Sequence, residues 1–279
     1  MNGLNIDLHT HSSCSDGCLS PAELVELAAA AGVEVLALTD HDTVAGLDDA
    51  QRAAAALGVK LVPGVEISAS WRAQAIHVLG LWIDPADAAL RAMLEAQTDL
   101  RRFRIRKICA RLEKLKLPGA ELLATVEQHG GVPTRAHLAQ GLVALGCVAS
   151  PDAAFRRYLG KGRPAHVATQ WPSLESVVGW IRAAGGVASL AHPARYSLSA
   201  GARRRLLGDF AAAGGTALEF VSSGNGAQQV DACAMLAANH GLSGSVGSDF
   251  HSPQAAWNPL GRSLNLPDCV TPVWRSFGL

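Results

Sequence analysis

The chain has 279 residues, of which 49% are hydrophobic and 17% are charged, and its formal net charge is zero. This composition excludes an intrinsically disordered chain and allows a substantial core in one large domain, or in one domain that carries an insertion. No apolar run is long enough to span a bilayer and the N-terminus lacks the features of a signal peptide, so we expect a cytoplasmic protein without a membrane partner.

Short β-type runs alternate with Ala- and Leu-rich helical stretches along most of the chain. The predicted strands cover residues 4–8, 33–38, 59–65, 75–81, 186–191, 216–221 and 243–247. The first predicted helix begins at a capping box made by Ser20 and Glu23, with Pro21 at its first position. Further helices are predicted at residues 46–57, 174–184, 202–213 and 227–239. This alternation indicates a parallel sheet, and seven repeats indicate a closed or nearly closed α/β barrel.

The alternation stops between about residues 86 and 166, where the pattern is helical throughout. From residue 99 to residue 166 there are 13 Lys and Arg residues against 5 Asp and Glu residues, which leaves 11 against 19 in the rest of the chain. We therefore interpret residues 99–166 as an inserted basic helical subdomain, and residues 1–98 and 167–279 as the barrel domain. A basic subdomain beside an acidic barrel would help to attract phosphate-bearing ligands.

A run of metal-type side chains lies near the N-terminus, where His9 and His11 are two residues apart and Asp16 follows. In an extended segment, alternate residues point to the same side, so the two imidazoles can bind one ion. Further ligand-type residues lie in or after later predicted strands, at Asp40, His41, Asp42, Glu66, His77, His192, Asp249 and His251. Taken singly, each has an ordinary explanation as a packed histidine or a helix cap. Together they predict a metal centre at the carboxyl ends of the barrel strands.

The ordered motifs DLHTHSSCSDG, ALTDHDT, GVEIS, IHVLGLW, ASLAHPARY and GSDFHSP resemble the PHP family, named for polymerase and histidinol phosphatase domains. The resemblance runs from residue 4 to about residue 253, outside the insertion. It implies a distorted seven-stranded (β/α) TIM-like barrel, carrying the inserted helical subdomain, with a trinuclear metal centre. By position it implies a first ion bound by His9, His11, Glu66 and Asp249, a second by Glu66, His77 and His192, and a third by Asp16, His41 and His251. In this arrangement Asp7, Asp40 and Asp42 are expected to orient the imidazoles.

Imidazoles and carboxylates without sulfur suit Mn²⁺, Zn²⁺ or Fe²⁺, and the carboxylate content favours Mn²⁺, with Mg²⁺ as a further candidate. Clustered divalent ions are a common device for phosphate-ester hydrolysis. We predict a hydroxide that bridges the first two ions, while the third orients the phosphate. The catalytic general acid is left open between His192 and Asp16.

Several cationic or polar residues are candidates for substrate binding. Thr134 is predicted to cap the start of a helix, and Arg135 places a cation beside it. This pattern is typical of a phosphate site and equally of an ordinary helix cap. Arg195 lies three residues after His192 and is therefore a stronger phosphate candidate. Asn225 lies in a Ser- and Gly-rich run after the sixth strand, where backbone amides can form an anion nest. The basic loop at residues 156–164 faces either the metals or the solvent.

These segments resemble the nucleotide-acting branch of the family. The resemblance implies a phosphatase that removes the 3′-phosphate of nucleoside 3′,5′-bisphosphates, such as adenosine 3′,5′-bisphosphate, and yields the 5′-monophosphate. Three further functions stay open: a 5′-3′ exoribonuclease on short 5′-phosphorylated RNA, a histidinol-phosphate phosphatase, and a non-enzymatic interaction module stabilised by metal. We expect a small nucleotide or a short oligonucleotide as the partner. The neutral net charge argues against extended duplex nucleic acid.

Overall fold

The computed structural model describes residues 4–221, 227–254, 259–261 and 266–279. Within these ranges, seven strands form one sheet in sequence order. They are β1 (Ile6–Thr10), β2 (Val35–Leu38), β3 (Lys60–Trp71), β4 (Gln74–Leu81), β5 (Val187–Leu190), β6 (Ala217–Val221) and β7 (Ser243–Val246). The segment after β7 returns to β1, because the backbone N–H of Asp249 donates to His9 O at 2.7 Å and that of His11 donates to Phe250 O at 2.9 Å. The sheet is thus a nearly closed barrel, which confirms the predicted fold class.

Helices cover the outside of the barrel and form the inserted segment. They are α1 (Pro21–Ala30), α2 (Leu47–Leu57), α3 (Ala88–Lys114), α4 (Gly119–Gln128), α5 (Arg135–Ala144), α6 (Pro151–Ala154), α7 (Leu174–Ala183), α8 (Ala200–Ala212) and α9 (Ala227–His240). The predicted capping box at the start of α1 is confirmed, with Pro21 as the first helical residue. No helix in the described ranges has the length and apolarity needed to cross a bilayer.

The sheet differs from the predicted parallel arrangement at β4, which is antiparallel to both β3 and β5. The physical reason is that Arg72 and Ala73 form a two-residue turn between β3 and β4, whereas a parallel connection requires a long crossover. β3 also continues to Trp71, so Glu66 lies inside this strand and not at its end as predicted. Leu38 at the end of β2 pairs with Pro63, so Glu66 lies just past the level at which β2 stops. It therefore still reaches the rim of the barrel.

The inserted segment begins with a long helix that is shared between two hydrophobic cores. The first half of α3 packs Leu90, Met93 and Leu94 into the barrel core. Its second half contributes Ile105, Ile108 and Leu112, among others, to a separate core that it forms with α4 and α5. The helix runs through residue 99, where the sequence predicted a boundary between barrel and insertion. That boundary stays a prediction, and the continuous helix links the two predicted parts.

Candidate metal centre

His9 and His11 at the end of β1 meet Glu66 of β3 and Asp249, which follows β7. The Nε2 atoms of the two histidines are 3.1 Å apart. His9 Nε2 lies 3.4 Å from Glu66 Oε2 and 3.3 Å from Asp249 Oδ1. All four residues are buried, and their ligand atoms all lie within 4.8 Å of one another. The structure thus brings together the four residues predicted for the first ion.

Glu66 is the centre of a second group of imidazoles. Its Oε1 lies 2.8 Å from His77 Nδ1 and 3.0 Å from His192 Nε2. Its Oε2 lies 2.9 Å from His41 Nδ1, so His41 also joins Glu66 and His77. The carboxylate contacts residues of both the first and the second predicted sites, which is the geometry that a bridging ligand needs.

A third group contains the predicted Asp16, His41 and His251, together with His11. Asp16 Oδ1 lies 3.3 Å from His251 Nε2, and Asp16 Oδ2 lies 3.8 Å from His41 Nε2. The rings of His11 and His251 stack with their centres 4.1 Å apart. Three acidic and six imidazole side chains predicted as ligands therefore line one continuous site.

Burial and charge pairing oppose each other in this site. Burial alone would lower the pKa of His11, but hydrogen bonds to Asp249 and Glu66 outweigh it and raise this pKa to about 10. Burial would also lower the pKa of His9, yet Glu219, Asp249 and Glu66 raise it well above its usual value. In Glu66, burial would raise the pKa, but His41, His77 and His9 bring it well below the usual range. The Glu66 carboxylate is therefore ionised, and protons on His9 and His11 occupy positions that cations can take, whereas burial lowers the pKa of His41 to about 4.

The donor set fits divalent cations. Asp16 Oδ1, His41 Nδ1 and Glu66 Oε2 are buried atoms that face other ligand atoms of the site without forming a hydrogen bond of good geometry. Buried polar atoms are costly unless they are paired or coordinate a metal. In addition, the Nε2 atoms of His9 and His11 face each other at 3.1 Å. Nitrogen and oxygen donors that converge without sulfur suit Mn²⁺, Zn²⁺ or Fe²⁺.

The acidic residues expected to orient imidazoles accept hydrogen bonds from backbone N–H groups and from nearby polar side chains. Asp7 accepts hydrogen bonds from the backbone N–H groups of Ser248 and His9. Asp40 accepts from Ser12 and Ser15 and so fixes the loop that carries Asp16. Asp42 accepts from the Ser68 N–H, Gln97 and Arg101, and its ion pair with Arg101, at 2.6 Å, ties α3 to the barrel rim. None of the three contacts an imidazole directly, although the Ser15 hydroxyl, which donates to Asp40, lies 3.5 Å from His11 Nδ1. Their role in orienting the imidazoles stays a prediction.

A carboxylate that contacts an imidazole directly was missed in the sequence. Glu219 of β6 is buried, and its Oε1 lies 2.9 Å from His9 Nδ1. Its Oε2 accepts a hydrogen bond of 2.6 Å from the backbone N–H of His192. The available signal was a single acidic residue inside an otherwise apolar strand, which is unusual unless the charge is paired.

The predicted substrate residues lie in different surroundings. The hydroxyl of Thr134 accepts from the Ala136 N–H and caps α5, so it acts as the helix cap that was one of its two interpretations. Arg135 is partly buried and donates to Leu159 O at 3.3 Å. Arg195 pairs closely with the carboxylate of Asp249 and so lies at the metal centre. Asn225 lies outside the described residues.

Arg135 lines a cavity of about 310 Å³ that reaches His77 of the metal centre. The cavity is also lined by Arg104, Lys161 and His166, with Trp171 and Tyr196 among its other walls, and no Asp or Glu of the described chain lines it. Burial, together with Arg135 and Arg101, lowers the pKa of Arg104 to about 9. Burial and Arg101 also lower the pKa of Arg135. Two partly buried guanidinium groups thus lie in one cavity that no acidic side chain of the described residues lines, a combination that suits an anionic ligand.

Comparison with known proteins places the chain among phosphate-ester hydrolases. The family model of the PHP domain matches residues 7–122. The chain is 45% identical to a 5′-3′ exoribonuclease of Haemophilus influenzae over 97% of its own length and 98% of the relative. It is 42% identical to a 3′,5′-nucleoside bisphosphate phosphatase of Chromobacterium violaceum over 97% of its own length and 95% of the relative. These relatives confirm the predicted class, a phosphoesterase-type hydrolase.

Solved structures agree in fold over nearly the whole chain. An amidohydrolase from Chromobacterium violaceum with bound sulfate superposes with a TM-score of 0.92 at 41% identity, covering 98% of this chain and 96% of that one. A candidate metal-dependent phosphoesterase from Bifidobacterium adolescentis gives a TM-score of 0.82 at 30% identity, covering 98% and 94%. The motifs, the barrel and the full-length relatives agree, and the chain belongs to the PHP family.

Proposed function

We propose that this protein removes the 3′-phosphate of nucleoside 3′,5′-bisphosphates and releases the nucleoside 5′-monophosphate. The observation that carries this proposal is the cationic cavity of Arg104, Arg135 and Lys161, which opens from the metal centre at His77 and has no Asp or Glu of the described residues in its lining. A nucleoside bisphosphate has phosphates at both ends of its ribose. One phosphate would lie at the metal centre while the other is bound by the cavity.

We also propose three divalent ions, with Mn²⁺ as the first choice, held by the nine predicted ligands. Such ions activate a water molecule near neutral pH and neutralise the charge of a phosphate. Arg195, which pairs with Asp249, would donate to a phosphate oxygen at the same centre. Of the two residues considered for protonating the leaving oxygen, Asp16 is the weaker candidate, because His41 and His251 outweigh burial and bring its pKa well below the usual range. We therefore favour His192 for this role. We expect the enzyme to act on cytoplasmic nucleotides.

A second candidate is a 5′-3′ exoribonuclease activity on short 5′-phosphorylated RNA. It is supported by the 45% identity to the exoribonuclease of Haemophilus influenzae. The same two sites would serve this reaction, with the scissile diester at the metals and the 5′-phosphate in the cavity.

Histidinol phosphate fits the cavity less well, because Arg104 and Arg135 would repel its ammonium group. A non-enzymatic module would be expected to lack ligands, whereas all nine predicted ligands line the site. The cationic cavity and the full ligand set therefore favour an enzyme that acts on a substrate with a second phosphate.

Phosphate release from a panel of substrates tests the proposal. The Mn²⁺-loaded protein would be given a 3′,5′-bisphosphate, a 3′-monophosphate, a 5′-monophosphate, a short 5′-phosphorylated RNA and histidinol phosphate, each also with excess chelator. For the RNA, the released mononucleotide would be measured instead. We expect the highest kcat/KM on the bisphosphate and no turnover with chelator. Highest turnover on histidinol phosphate would overturn the proposal, and highest turnover on RNA would favour the second candidate.

A further inference from the structure

Glu219 of β6 is a buried carboxylate that reaches two predicted metal ligands from behind. We propose that Glu219 is a positioning residue that selects the metal-binding atom of His9 and fixes the turn at His192, so that the first and second ion sites form together. This inference rests on the metal centre of the proposed function. It does not depend on which phosphate ester is hydrolysed.

The first step concerns the ring of His9. Its Nδ1 faces Glu219 Oε1 at 2.9 Å, while its Nε2 faces His11, Glu66 and Asp249. Glu219 Oε2 already accepts the N–H of His192, so a proton on His9 Nδ1 gives the ring its hydrogen bond to Glu219 Oε1 and leaves the lone pair of Nε2 directed at the ion site. Without this acceptor, the neutral ring can place its proton on Nε2, where it would point at the other ligands.

The second step concerns the backbone of His192, which follows β5. Its dihedral angles are φ 30° and ψ 54°, in the left-handed region that residues other than Gly rarely adopt. The N–H of this residue donates to Glu219 Oε2 at 2.6 Å. The resulting turn directs His192 Nε2 to within 3.0 Å of Glu66 Oε1. The hydrogen bond to Glu219 thus helps to keep His192 in a conformation that its own backbone disfavours.

The third step concerns the space around the carboxylate. A Cβ atom at Gly247 would lie 2.2 Å from His9 Cβ and 2.8 Å from Glu219 Oε1, so only glycine lets these groups approach. Glu219 also pairs in register with Ser245 of β7, inside the sheet. A carboxylate held on a strand is more precisely placed than one on a loop. The two oxygens of Glu219 contact His9, a predicted ligand of the first ion, and His192, a predicted ligand of the second. The predicted third site is composed of Asp16, His41 and His251.

The test is a direct titration of ion binding without substrate. Glu219→Gln keeps the size of the side chain but replaces one acceptor by a donor. Free Mn²⁺ would be followed by electron paramagnetic resonance. We expect two of three ions to bind about 10–100-fold more weakly and the third to keep its affinity, as found for other residues that support metal ligands.

Asp7→Asn is the matched control, because Asp7 is similarly buried and accepts from the backbone N–H groups of His9 and Ser248. We expect this variant to bind the first two ions at least about tenfold more tightly than Glu219→Gln. Equal losses in both variants, or wild-type affinity for all three ions in Glu219→Gln, would overturn the inference. If the wild-type protein binds only one or two ions, the proposal of three ions is contradicted, and this result is independent of the comparison between the two variants.

A measurement on the wild-type protein removes any dependence on the folding of the variant. Nitrogen NMR of histidine-labelled, Zn²⁺-loaded protein reports which ring nitrogen carries the proton. We expect the proton of His9 on Nδ1. A proton on Nε2 would overturn the inference even if Glu219→Gln could not be purified.

Discussion

Replacement of Arg135 by alanine removes one of the two partly buried guanidinium groups from the cavity beside His77. A hydrogen bond between a charged donor and a phosphate contributes about 1.5–3 kcal/mol, which corresponds to roughly 10–150-fold in kcat/KM. Arg104 and Lys161 remain in the cavity, so we expect the lower part of that range. For a 3′,5′-bisphosphate, kcat/KM should fall about 10–30-fold, whereas for a 3′-monophosphate it should change less than about threefold.

The assay is steady-state phosphate release on both substrates with the wild-type protein and two variants. Arg156→Ala is the matched control, since Arg156 is an exposed arginine on the turn that follows α6 and does not line the cavity. It should leave both substrates unaffected. Circular dichroism would establish that Arg135→Ala folds, because Arg135 also stacks on Phe155 and donates to Leu159 O.

The ratio between the two substrates is the decisive quantity. An equal loss on bisphosphate and monophosphate would mean that Arg135 supports the fold or the metal centre and does not bind the second phosphate. An unchanged ratio would refute the assignment of the cavity. The same comparison for Arg104→Ala should give a loss of similar size, because Arg104 lines the same cavity.

Three further changes test the surroundings of the site. Gly247→Ala would place a methyl group 2.2 Å from His9 Cβ, so we expect it to weaken Mn²⁺ binding by at least about tenfold, and wild-type affinity in a chelator competition would contradict this packing. Folding raises the pKa of His11 from 6.5 to about 10 in the ion-free protein. The protonated ring therefore stabilises the folded state fully below pH 6.5, and this stabilisation is lost as the pH rises through 10. Thermal unfolding in chelator should therefore show falling stability over this pH range. Calorimetry at pH 7.5 should detect proton release on Mn²⁺ binding, against none if His9 and His11 are already neutral. Arg101→Ala leaves the buried carboxylate of Asp42 without its ion-pair partner, so the free energy of unfolding should fall by about 3–5 kcal/mol, whereas a loss below about 1 kcal/mol in urea denaturation would indicate a solvated pair.

The positions of the metal ligands could be predicted because they follow strands whose apolar pattern is plain in the sequence. His9 and His11 lie on β1 or directly after it, and His192 and Asp249 follow β5 and β7 closely. The carboxyl ends of parallel strands meet at one rim, so a strand map is enough to bring such residues together.

Other parts of the site depend on tertiary packing and were not visible in the sequence. The turn at Arg72 and Ala73 lacks the Gly or Asn residues that usually identify a two-residue hairpin, so β4 was expected to be parallel. Arg104 is one of eight Lys and Arg residues between residues 101 and 116, and only the packing of α3 against Trp171 distinguishes it from its exposed neighbours. Glu219 stands out in the sequence only as a single acid in an apolar strand, which does not identify its partners, and its role depends on the approach of β1 and the turn after β5.

The most direct test of the central claim is to identify which phosphate of a nucleoside 3′,5′-bisphosphate is released. The Mn²⁺-loaded protein would be incubated with this substrate in ¹⁸O-labelled water, and both products would be analysed by mass spectrometry. The account predicts unlabelled nucleoside 5′-monophosphate and inorganic phosphate with one ¹⁸O atom, because it assigns the 3′-phosphate to the metals and the 5′-phosphate to the cationic cavity. Release of the nucleoside 3′-monophosphate would contradict it.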